Sequence, residues 1–179
     1  EEEPRILTVH IQADGEELLL ENPLQDREAH LDDAKFRQAW REVKRQNKQD
    51  LALRFMPTSA ADPYVGTPKW YIAKAKGYRY KKYNREGWAP EHNDPYFLAK
   101  QEELVSAFGE RYNGHRNIIR MDIGSVGFWG EWHMSHTEPE LPMISEENAV
   151  KIIDMYLKYW SKTPLSMLIG YVPGLRYAV

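Results

Sequence analysis

The chain of 179 residues carries 24 Lys and Arg against 27 Asp and Glu, a net charge of −3 that leaves no electrostatic footprint for nucleic acid. It has no cysteine, which excludes disulfides, thiolate catalysis and Cys-ligated zinc, and it has no apolar run long enough to span a bilayer. The length suits one domain, residues 1–179, with a real core, and 6 Trp and 11 Tyr supply aromatic surface for that core or for flat apolar sugar faces.

In chain order, the acidic start EEEPRILTVH enters structure directly, and no signal peptide is expected. RILTVHI (5–11) is β-branched and apolar and predicts a strand. Glu16, Glu17 and Glu21 follow and read as an exposed acidic turn of helix. From 33 to 47, Phe36, Ala39, Trp40 and Val43 recur at helical spacing. LALRFMP (51–57) predicts a second strand, stopped by Pro57. The stretch 58–93 is punctuated by Pro and Gly and reads as one long functional loop; KGYRYKKY within it is either a solvated turn or a basic, aromatic patch for an anionic glycan.

Asp94 and Pro95 open a helix whose apolar face is Phe97, Leu104, Val105, Phe108 and Tyr112, ended by Asn113-Gly114. NIIRMDI (117–123) predicts a third strand. Ser145 caps a helix with Glu146 and Glu147 in its first turn and the stripe Val150, Ile153, Tyr156, Leu157 and Trp160. LSMLIG (165–170) predicts a fourth strand. Strands alternating with helices predict parallel βαβ units, with the site at the strands' C-terminal ends. Period-two alternation places Arg54 and Asp122 on one side of neighbouring strands, either as a structural ion pair or as a pair that holds a ligand.

The densest chemistry lies in DIGSVGFWGEWHMSH (122–136). Its glycines let the backbone leave the strand and turn. Trp129 and Trp132 flank Glu131, and burial between two indoles would raise a carboxyl's pKa, as a general acid near neutral pH needs. The expectation is a proton donor, Glu131, in a carbohydrate site, with His133 orienting the acid or a hydroxyl. The plainer alternative makes the tryptophans core and Glu131 a surface acid. Glu131, His133, His136 and His92 do not have the spacing of a zinc site, so no metal and no cofactor are expected.

RILTVHI, LALRFMP, HNDPYF, RMDIGSVGFWGEWH and KTPLSMLIG with GLRYAV together resemble the β-galactosidase-type glycoside-hydrolase-like (β/α)8 barrels of bacterial polysaccharide-degradation loci. The resemblance spans most of the chain, and G-x-W-G-E-W-H after a strand is its most specific element. It implies a partial TIM-type barrel of about four strands, roughly strands two to five, with Glu131 as the acid/base after strand four. It also implies Arg54, Trp88, Asp122, Trp129, Trp132 and His133 as substrate-binding residues, and an extracytoplasmic setting. Trp70 and the tyrosines of 78–83 would extend the cleft.

The pattern departs from that family in its second carboxylate, which would follow a seventh strand and has no counterpart here. A full barrel needs eight strands and typically ~250 residues. The chain is therefore expected to be part of a larger barrel, or completed by another copy or chain across its open sheet edges, or else a smaller α/β domain. On this reading the partner is a carbohydrate, the chain alone does not hydrolyse it, and the rival function is a non-catalytic carbohydrate-binding or assembly module.

Overall fold

The computed structural model describes residues 5–13, 16–24, 51–58, 67, 69–168, 173, 176 and 177. Its elements are β1 (Arg5–Ala13), β2 (Glu16–Leu24), β3 (Leu51–Arg54), α1 (Lys69–Ile72), β4 (Gly77–Lys82), β5 (Arg85–Pro90), α2 (Pro95–Tyr112), β6 (Ile118–Asp122), α3 (Glu146–Tyr159) and β7 (Leu165–Ser166). The predicted helix at 33–47 lies outside the described residues.

The main sheet has the order β2-β1-β3-β6-β7. β3, β6 and β7 run parallel, with α2 before β6 and α3 between β6 and β7. β1 instead pairs antiparallel with β3, through His10↔Arg54 and Ile11↔Leu53. It also pairs antiparallel with β2, from Arg5↔Leu24 to Ala13↔Glu16.

The barrel expectation is thereby corrected. An antiparallel β1 cannot be the second strand of a parallel barrel, and the sheet is open, with β2 and β7 at its edges. Glu16, Glu17 and Glu21 belong to β2 rather than to a helical turn. The sequence signal for this pairing is Asp14-Gly15 between the two strand segments, a strong hairpin dipeptide.

A second correction concerns 58–93. This stretch contains α1 and a separate two-stranded sheet, β4 paired with β5. Two residues join these strands, Tyr83 and Asn84, at φ 51° and 61°, the double positive φ of a primed hairpin turn. The aromatic alternation of KGYRYKKY was thus a strand's alternation. Tyr80 and Lys82 face inward, and Arg79 and Lys81 face outward.

The helices follow their end signals. The Asp94 side chain accepts from the Tyr96 N–H and Pro95 occupies the first turn of α2; Ser145 accepts from the Asn148 N–H at the start of α3. Asn93 links the two starts, because its Oδ1 accepts from the Ser145 N–H at 2.8 Å and from Asn148 Nδ2 at 3.1 Å.

Of the expected stripe, Ile153, Tyr156 and Trp160 are buried, Val150 is half-buried and Leu157 is 51% exposed; the buried stripe of α3 is Ala149, Ile152, Ile153, Met155 and Tyr156. These side chains and Val105, Phe108 and Trp160 pack on Leu53, Phe55, Met121 and Ile123 of the sheet. Each fully buried side chain of this size contributes about 1.5–3 kcal/mol. The core therefore fixes one face of the parallel strands and leaves their C-terminal ends to carry the loops.

Candidate functional site

The face of β3, β6 and β7 opposite that core is polar. The register aligns His10, Arg54, Asp122 and Ser166 in one row across four strands. Arg54 donates to Asp122 Oδ2 from Nε at 3.0 Å and from Nη2 at 2.8 Å. Asp122 Oδ1 takes Arg120 Nε at 2.8 Å and also accepts from the Ser166 hydroxyl. Three hydrogen bonds and the ion pair with Arg120 thus engage both oxygens of this carboxylate, whose side chain is 10% exposed. Asp122 is therefore a fixed anion that holds two arginines.

The third nitrogen of Arg54, Nη1, reaches Glu131 Oε1 at 3.3 Å. The other oxygen of Glu131 lies 3.6 Å from His133 Nε2, and His133 Nδ1 is 2.9 Å from the Ser135 hydroxyl. Glu131, with its side chain 36% exposed, is the accessible acid of the cluster. Trp129, two residues before Glu131 in the loop, is half-buried, its ring centroid 5.8 Å from that of His133.

The loop that presents these groups is held internally. Every backbone N–H from Ile123 to Trp132 has an acceptor, among them Phe55 O for Ser125, Thr58 O for Trp129, His133 O for Phe128 and Val126 O for Trp132. Gly127 N–H donates to His92 Nε2 at 3.2 Å. Ser125, Trp129 and Trp132 take positive φ of 65°, 54° and 59°, conformations that persist only where surroundings impose them. Gly130 is needed for a close approach: a Cβ there would lie 2.7 Å from Phe55 O, and its φ is +70°. The loop is thus pinned to β3 by backbone contact as well as by Arg54.

Two expected placements differ. Trp132 is 1% exposed and donates its indole N–H to Ile123 O at 2.6 Å, so it is a core residue with no face for a sugar. Glu131 consequently sits between Arg54 and His133 with its side chain 36% exposed, not desolvated between two indoles. Trp88 is on β5, edge-on to Tyr71 with centroids 6.2 Å apart, and packs on the main core rather than joining the Glu131 cluster. Trp70 likewise packs on that core. The structure brings together Arg54, Asp122, Trp129, Glu131 and His133.

Two residues at the site gained no role from sequence. His92 is buried against Phe97, with centroids 5.1 Å apart, and burial pushes its pKa down to about 4, so it is a neutral acceptor for the loop. Lys82 points from β4 into the loop. Its place on the inward phase of an alternating strand is the signal that would have found it.

Among the described residues no group of three or more His, Cys, Asp or Glu could hold a metal ion, and no helix is long and apolar enough to cross a membrane. Comparison of the chain with known protein families, curated proteins and solved structures finds no match.

Proposed function

We propose that the chain recognises carbohydrate at the surface made by Trp129, Glu131, His133 and Arg54. An accessible indole supplies a stacking face for an apolar sugar face, and the carboxylate, imidazole and guanidinium beside it match a sugar's hydroxyl groups. The observation that carries this reading is the division of labour between two carboxylates on one guanidinium. Asp122 is buried and fixes Arg54 through two hydrogen bonds; Glu131 shares that arginine and remains open to a ligand.

On this reading Glu131 would be the acid/base of the glycoside-hydrolase type for a bound glycan. Such hydrolysis uses two working carboxyls, about 5–5.5 Å or 6.5–9.5 Å apart. Asp122 is buried with both oxygens engaged by Arg54, Arg120 and Ser166, a poor position for that second part, which favours binding without turnover as the activity of this chain. Glu131→Gln separates the two readings. With oligosaccharide substrates, loss of product release with binding retained identifies a hydrolase. Binding without product release in both forms identifies a recognition module, and absence of any oligosaccharide binding by the wild type overturns both.

A further inference from the structure

Lys82 is a cation in an unusual position. Its side chain belongs to the basic segment KGYRYKKY, yet Lys82 is only 2% exposed. Among the described residues no carboxylate lies within ion-pair distance of it. Its ammonium donates to the Ser135 carbonyl and lies 4.1 Å from the ring centroid of Phe128, 5.2 Å from Tyr83 and 5.5 Å from Trp129. Burial of a cation without an anion is unfavourable, and it lowers the pKa of this amine. Aromatic faces and a carbonyl are the groups that offset that cost while leaving the charge in place.

The neighbourhood ties two parts of the molecule together. One residue before Lys82, Lys81 exchanges backbone hydrogen bonds with Glu138, N–H to O at 2.9 Å in each direction. Phe128 is itself edge-on to Tyr80 of the same strand at 5.2 Å and tilted against Trp129 at 5.9 Å. The β4–β5 hairpin is thus attached to the loop through Lys81 on its backbone and through Lys82 in its interior. Trp129, held at positive φ, has its indole orientation set by what packs on it.

We propose that Lys82 is a positioning residue: its ammonium, between the Ser135 carbonyl and the rings of Phe128 and Trp129, fixes the Trp129 indole as a stacking face beside Glu131. The sugar-stacking part of this inference rests on the carbohydrate reading above; the fixing of the indole does not. This buried cation–π contact does for the aromatic platform what Asp122 does for Arg54.

The test is a double-mutant cycle read by calorimetric binding of cellohexaose, xylohexaose and a galactan hexasaccharide, with thermal unfolding followed for every variant. Lys82→Met is expected to weaken binding of the bound probe about tenfold, on the scale of a desolvated cation–π contact, and Lys82→Arg to keep binding within about threefold. In a Trp129→Ala background the same Lys82→Met change is expected to alter binding less than about twofold, since the residue through which it acts is gone. Wild-type affinity in Lys82→Met, or an undiminished loss in the Trp129→Ala background, would overturn the proposal.

If Lys82→Met does not fold, Lys82→Gln replaces it in the cycle, keeping a donor for Ser135 and removing the charge. If the wild type binds no probe, the carbohydrate reading fails and the positioning is judged without ligand. The Lys82 ε-methylene protons should then resonate upfield from ring currents, with that shift reduced in Trp129→Ala. A shift unchanged by Trp129→Ala would overturn it.

Discussion

The two faces of the parallel strands solve opposite problems with neighbouring residues. On one face Leu53, Phe55, Met121 and Ile123 meet the helices and gain stability from area removed from water. On the other, Arg54, Arg120, Asp122 and Ser166 gain little from area and depend on each donor meeting its acceptor. Packing tolerates small changes of shape by relaxing; a buried carboxylate that holds two arginines does not tolerate the loss of its charge. The apolar face should therefore govern whether the chain folds, and the polar face whether the folded chain presents Glu131.

The largest expected effect breaks the apolar face. Phe108→Ala, at a fully buried position edge-on to Phe55, should cost about 3–5 kcal/mol in urea unfolding, with the Arg54 cluster unchanged in a structure of the variant. Asp122→Ala breaks the polar face and leaves two arginines facing each other. It should cost about 3 kcal/mol and also release Glu131 from its place, so the stability loss and any binding loss appear together.

An acid titration sharpens the comparison at the loop. His92 has a folded-state value of about 4 against 6.5 unfolded, so the unfolded chain takes up the proton first. Stability is whole above about pH 6.5 and falls as the pH drops toward about 4, by at most about 3 kcal/mol. Denaturant midpoints measured across that window should show the slope, and His92→Gln, which keeps an acceptor for Gly127, should remove it. The smallest effect belongs to Glu131→Gln. A part-exposed ion pair contributes little, so unfolding should shift by less than about 1 kcal/mol while the ligand response changes.

Local elements were legible in the sequence because their signals are local. Asp94 with Pro95, and Ser145 with its two glutamates, mark the helix starts at which α2 and α3 begin. The pairing of Arg54 with Asp122 was legible too, since strand alternation fixes which residues share a side. What the sequence withheld was pairing direction. RILTVHI has the composition of a strand in any orientation, and only the short Asp14-Gly15 link argues that its partner runs back beside it.

The fate of the two tryptophans was hidden for a related reason. Trp129 and Trp132 have the same residue type and the same sign of φ, but one donates its indole N–H into the core and the other packs against a lysine from a distant hairpin. Spacing along a loop without a regular period carries no information about which side chain turns inward.

The polar row through Arg54, Asp122 and Ser166 has a consequence for folding. Period two means that sliding β6 by one residue against β3 would bring Met121 opposite Arg54 and turn Asp122 toward Phe108 and Tyr156. Such a pairing would carry Asp122, with Arg120 from the same strand, into the apolar layer and part Asp122 from Arg54 and Ser166, so it is excluded by several kcal/mol. The ion cluster thus acts as a proofreading device for strand alignment. A chain that has reached its native pairing has, in the same event, already assembled the anchor on which Glu131 rests.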